Sequence, residues 1–103
     1  METALLHQSV NDVVQLLRFL LEKQGYKIEK MDMENTVILA LKEGKWFRHE
    51  RKILLELSSL ENDFTRIDVT AIIDDEHAAE EIELEEKFVT GIYRFTQKMN
   101  ATP

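Results

Sequence analysis

Thr65-Arg66-Ile67-Asp68-Val69-Thr70-Ala71-Ile72-Ile73 is the stretch whose reading decides the fold. Ile67, Val69, Ala71 and Ile73 alternate with Arg66, Asp68, Thr70 and Ile72, the period of two that sends successive side chains to opposite faces of a strand. Working back along the chain, Glu61-Asn62-Asp63 supplies a turn, and Arg51 to Ser59 forms the preceding strand with Ile53, Leu55 and Leu57 on one face. Glu43-Gly44-Lys45 punctuates the end of another, in which Val37, Leu39 and Leu41 alternate with Thr36, Ile38, Ala40 and Lys42. Asp32 to Asn35 is a polar turn, and Tyr26 and Ile28 begin a first, short strand. Four short strands joined by tight turns predict an antiparallel meander.

Helical periodicity flanks the strands on both sides. Leu6, Val10, Val13, Val14, Leu17, Leu20 and Leu21 recur at intervals of three and four, which predicts an amphipathic helix over about Thr3 to Gln24. Gly25 follows as its stop, because a residue free to take positive φ is favoured there. A second helix is expected from near Glu76, capped by Asp74 or Asp75, with Ile82, Phe88, Val89, Ile92, Phe95 and Met99 on one side. Glu85 falls inside that stripe and Glu81 near it. One reading leaves both carboxylates in water where the helix overhangs the sheet; the other makes Glu85 a partly buried carboxylate with a raised pKa.

With 103 residues and 44% hydrophobic content, the chain matches one α+β domain spanning 1–103. Its expected architecture is α-β-β-β-β-α, a four-stranded sheet with both helices on one face. The odd-numbered side of the last three strands is the expected core face. The even-numbered side then carries Ile38, Ala40, Leu54 and Ile72 among Thr36, Lys42, Glu56, Asp68 and Thr70. Such a mixed face is either tolerated in water or used for contact, since antiparallel sheets often leave one side available. These four residues are therefore the first candidate partner-binding positions, with self-association into a homodimer ahead of a foreign protein partner.

The net charge of -7 is concentrated. Asp74, Asp75, Glu76, Glu80, Glu81, Glu83, Glu85 and Glu86 lie together without an intervening Lys or Arg, and the rest of the chain is nearly balanced. A field of that sign repels polyanions, so no nucleic-acid partner is expected. The contrasting segment is Lys45-Trp46-Phe47-Arg48-His49-Glu50-Arg51-Lys52. Trp46 and Phe47 could stack bases or touch a membrane surface, or close one end of the core while the cations stay solvated. A third reading has this loop meet the acidic segment of another copy, so Trp46 and Phe47 join the candidate contact residues.

The extended order also carries a resemblance. Leu21-Glu22-Lys23-Gln24-Gly25-Tyr26 after a helix, extended segments, Thr65-Arg66-Ile67-Asp68-Val69 and a final helix look like the helix-grip domains of bacterial outer-membrane-assembly lipoproteins. The resemblance spans most of the chain on short motifs, so it addresses fold more than function. It implies a non-enzymatic binding or scaffold module using its sheet, or the groove between sheet and helices. Those lipoproteins carry a lipidated Cys, and this sequence has no Cys. A looser likeness in size, charge and class is to type III secretion chaperones, which hold partly unfolded segments.

Enzyme chemistry finds little support in the sequence. His7, His49 and His77 are the three histidines, and neither a Gly-rich phosphate loop nor a nucleophile elbow is present. His77 and Glu81 could meet on a helix, with Glu80 beside them, but one helix rarely completes a metal site. No catalytic residue, cofactor or metal is expected. The competing class is a small apolar-ligand binder with a cavity lined by Leu17, Leu55, Val69 and Ile92. The longest apolar runs, such as Val37 to Leu41, fall far short of the roughly 20 residues that span a bilayer. With no Cys and no basic n-region of a secretory signal at Met1-Glu2-Thr3, the expected compartment is the cytoplasm.

Overall fold

The N-terminal segment forms a strand where the apolar spacing predicts the start of a helix. The computed structural model describes residues 1–34, 36–43, 50–73 and 78–101. In it the chain runs β1 (Glu2–Leu6), α1 (Val10–Lys23), β2 (Lys27–Asp32), β3 (Val37–Lys42), β4 (Arg51–Ser59), a short turn at Glu61–Asp63, β5 (Thr65–Ile72) and α2 (Ala78–Ala101). The protein is α+β, as its patterning predicts, but the sheet has five strands in the order β1-β5-β4-β3-β2, all neighbours antiparallel.

The extra strand has a local and a tertiary cause. Ser9 takes an extended conformation and its hydroxyl accepts a hydrogen bond from the Asp12 amide, so the helix is capped there and begins at Val10. Ahead of that cap, Ala4 and Leu6 alternate with Thr3 and Leu5, and the free edge of β5 offers them a ladder: Ala4 pairs with Ile67 and Leu6 with Thr65. Leu6 fits both a helical and a strand period. Pairing with a strand sixty residues later decides between them.

α1 ends as its Gly25 predicts. Gly25 has φ +85°, its amide donates to the Glu22 carbonyl at 3.0 Å, and the Tyr26 amide donates to the Leu21 carbonyl at 2.8 Å. These two bonds satisfy carbonyls that the last helical turn would otherwise leave bare. The reversal delivers Tyr26 into the core and starts β2 in register.

Both helices lie on one face of the sheet, α2 over β1 and β5, α1 over β2 and β4. Val13, Leu17 and Leu21 of α1 and Phe88 and Ile92 of α2 meet Ala4, Ile53, Leu55, Ile67 and Val69 in a single buried cluster. Fully burying a Leu or Phe of this kind stabilises by about 1.5–3 kcal/mol. α2 is narrower in its packing than its stripe suggests, because Ile82 and Met99 are exposed.

The β3 strand is turned over relative to the expectation. Ile38 pairs with Leu55 and Ala40 with Ile53, and directly opposed residues of an antiparallel pair share a face. Ile38 and Ala40 are therefore core residues, 1% and 0% exposed. The outward side of β3 carries Val37, Leu39 and Leu41 instead.

The first half of α2 does not overhang the sheet. Glu85 is 4% exposed, its Oε2 accepts the Ala71 amide at 2.8 Å, and its Oε1 lies 2.9 Å from the Met1 α-ammonium. Glu81 Oε1 accepts the Ile73 amide at 3.2 Å. The β1–β5 ladder ends at Glu2 opposite Val69, and past that pair these two carboxylates take over as acceptors for β5. The hydrogen bond to Glu85 holds the Met1 ammonium above its ordinary pKa against the opposing effect of desolvation. A raised folded-state pKa means that the stabilisation is complete below the ordinary value of 8.0 and fades as pH rises through the folded-state value.

Two substitutions test this account. Gly25→Ala places a Cβ at positive φ, with only ordinary contact to Lys42, and should lower unfolding free energy by about 1–2 kcal/mol in urea titration. Glu85→Ala strands the buried Ala71 amide and should cost about 1–3 kcal/mol. It should also flatten the decline in melting temperature above pH 8.0.

Candidate interaction face of the sheet

The face of the sheet away from the helices is the candidate site, and its chemistry follows from the strand registers. Cross-strand partners read as four rows. At one end Lys27 (β2), Leu41 (β3), Lys52 (β4) and Ile72 (β5) lie side by side. The middle row is Lys30, Leu39, Leu54 and Thr70. The third is Asp32, Val37, Glu56, Asp68 and, on β1, Thr3. Beyond the ends of β2 and β3 a last row holds Ser58, Arg66 and Leu5. From β2 to β4 the face thus runs from basic to acidic along the strands, and at the β5 end Arg66 returns a positive charge beside Asp68.

Val37, Leu39, Leu41 and Leu54 are part-buried by one another, and Ile72 remains 44% exposed. Neither helix approaches this side. Of the expected contact residues, Leu54 and Ile72 are on this open face, whereas Ile38 and Ala40 are in the core and out of reach of any partner. Trp46 and Phe47 lie outside the described residues. Leu39 and Leu41 were hidden from sequence reasoning by β3 itself, which is apolar on both sides, so its alternation gave no sign of which set faces inward.

The charges have local partners of modest strength. Lys52 Nζ is 3.7 Å from Glu29 Oε2, both side chains more than a third exposed, a pair worth little in water. Asp68 accepts from the Thr3 hydroxyl at 2.8 Å and from Arg66 Nε at 3.0 Å. Burial pushes the Asp68 carboxyl up, but the Thr3 hydrogen bond and the Arg66 guanidinium outweigh it and hold the pKa below the usual value. Glu56 stands directly opposite Asp68, a like-charge pair that disfavours the isolated sheet.

Both edges of the sheet are blunted. β2 carries a register shift between Ile28 and Lys30 and exposed Lys27, Glu29 and Lys30, features that oppose edge-to-edge pairing. On β1 the Leu5 amide donates to the Tyr93 hydroxyl at 3.0 Å, so α2 covers part of that edge.

The cavity expected for an apolar ligand is filled. Leu17, Leu55, Val69 and Ile92 are each 0% exposed, so no space beside them admits even a water. One groove along the helices is open and polar-rimmed, lined by Gln24, Glu83, Glu86, Lys87, Thr90 and Arg94, and a second, shallow one holds Leu16, Phe19 and Met99 beside Gln8, Asp12 and Gln15. His77 lies outside the described residues, and Glu81 is engaged by the Ile73 amide. Among the described residues no three His, Asp or Glu side chains gather as a metal site, and no helix is long and apolar enough to cross a membrane.

No protein-family model matches this sequence, and no curated protein matches it either.

Proposed function

We propose that this domain is a non-enzymatic scaffold module that self-associates through the open face of its sheet. The observation that carries the reading is the apolar band Val37, Leu39, Leu41, Leu54 and Ile72 on a face that neither helix covers. A contiguous apolar band bordered by charge on both sides has the anatomy of a contact surface, an apolar centre with a polar rim. Its occupant is a second copy of the chain, because the charges of the face are self-complementary and the edges are guarded against strand addition. A Cys-free chain suits the reducing cytoplasm, where we place this association.

An apolar small ligand finds less support, since the four side chains that would line its cavity are packed against one another. The test is light scattering after size-exclusion chromatography across a range of concentrations. Wild type should approach twice the chain mass as concentration rises. Leu54→Glu, which puts a charge at the centre of the band, should remain at the monomer mass, while Phe19→Glu on the exposed side of α1 should behave as wild type. A wild type that is monomeric at every concentration overturns the reading, as does a Leu54→Glu variant that dimerises normally.

A further inference from the structure

The sorting of charge along the strands specifies how two copies meet, an inference that rests on the self-association just proposed. We infer that the copies stack face to face about a two-fold axis that lies between the sheets and runs across the strands, along the row Lys30-Leu39-Leu54-Thr70. Rotation about that axis keeps β4 over β4 and reverses its direction. Lys52 then stands over Glu56 of the second copy, Lys27 over Asp32 of the second copy, and Leu41 over Val37 of the second copy. Leu39, Leu54 and Thr70 meet their own equivalents at the axis, as does Lys30, and Ile72 stands over Asp68 of the second copy. Each opposite-charge contact occurs twice, as two-fold symmetry requires, so four of them stand against the single Lys30 pair.

The alternative two-fold, with its axis parallel to the strands, returns every row to itself. With that axis over β3, Lys27 would face Lys52 of the second copy and Asp32 would face Glu56 of the second copy; with it over β4, Lys52 and Glu56 would each face their own equivalents. Like-charge juxtaposition of this kind costs several kcal/mol, and it selects against that arrangement. The sorted face also accounts for a cost inside one copy. Glu56 and Asp68 are direct cross-strand neighbours in a row that ends at Asp32, a repulsion that Arg66 reduces at Asp68 and that Lys52 of the second copy, laid over Glu56, would reduce further.

Geometry permits the stack. Aligned sheets pack about 10 Å apart with strands within about 30° of each other, a gap that two facing layers of side chains fill. Five strands at about 4.8 Å spacing and five residues at about 3.3 Å give a footprint of about 400 Å² per copy. Total burial falls below the roughly 1,200 Å² of standard interfaces, which makes the dimer weak and concentration-dependent. The charges choose orientation, and the Leu39 and Leu54 centre supplies the attraction.

A charge exchange tests the orientation. Lys52→Glu alone and Glu56→Lys alone should each weaken dimerisation by about tenfold or more in sedimentation velocity at low salt, and the double variant should recover to within about threefold of wild type. Wild-type association should also weaken as salt rises from about 0.05 to 0.5 M. Lys27→Glu with Asp32→Lys repeats the exchange at the β2 end, so the test survives a misfolded variant; melting curves identify such a variant. If Leu54→Glu dissociates the dimer but neither double exchange restores association, the orientation is wrong and the face reading stands. If Leu54→Glu leaves the dimer intact, both fall together.

Discussion

The register between β3 and β4 is the constraint on which the rest of this structure depends. Thr36 clamps its open end: the Leu57 amide donates to the Thr36 carbonyl at 2.9 Å, and the Thr36 hydroxyl donates to the Leu57 carbonyl at 2.6 Å. Thr36 holds φ +52° to do so, a conformation that a β-branched residue adopts at a cost of about 1–3 kcal/mol. With that clamp set, Ile38 and Ala40 fall under the helices and Leu39 and Leu41 fall outside. A slip of one residue would exchange the two sets and move the whole apolar face of β3 to the other side.

The second organising contact is at the other edge, where β1 closes the sheet. Its ladder covers Thr65 to Val69 and then stops. Beyond it, acceptors for β5 come from Glu85 and Glu81, which gives α2 a polar anchor besides the apolar one at Phe88 and Ile92. Part of the acidic run therefore has a structural use. Buried donors are expensive to strand, and a carboxylate that accepts an amide while facing an ammonium meets the requirement that buried charge be paired.

These two edges determine what surface is left for association. One edge is bulged and charged, the other is short and touched by Tyr93, and the helices occupy one face. The remaining face carries Leu39 and Leu54 between a basic and an acidic row, a distribution that β4 shows by itself as Lys52, Leu54 and Glu56 and that pairing extends to β2. It arises because Lys52 and Glu56 on β4 are brought level with Lys27 and Asp32 on β2 by way of β3. Only the stacked registers turn scattered residues into rows.

The α+β class, the meander from β2 to β5, the end of α1 at Gly25 and the core faces of β4 and β5 were legible in the sequence. Each rests on local physics: a period of two or 3.6, a residue tolerant of positive φ, a turn between apolar runs. Three features were decided only by tertiary structure. Ala4 and Leu6 became a strand because β5 presented an unpaired edge, although their spacing also suits a helix. Glu85 became buried because β1 ends before β5 does. The inward side of β3 was settled by its pairing with β4, since Val37, Leu39 and Leu41 are as apolar as Ile38 and Ala40. A strand that is apolar on both faces carries no local record of its orientation, and only the partner across the ladder supplies it.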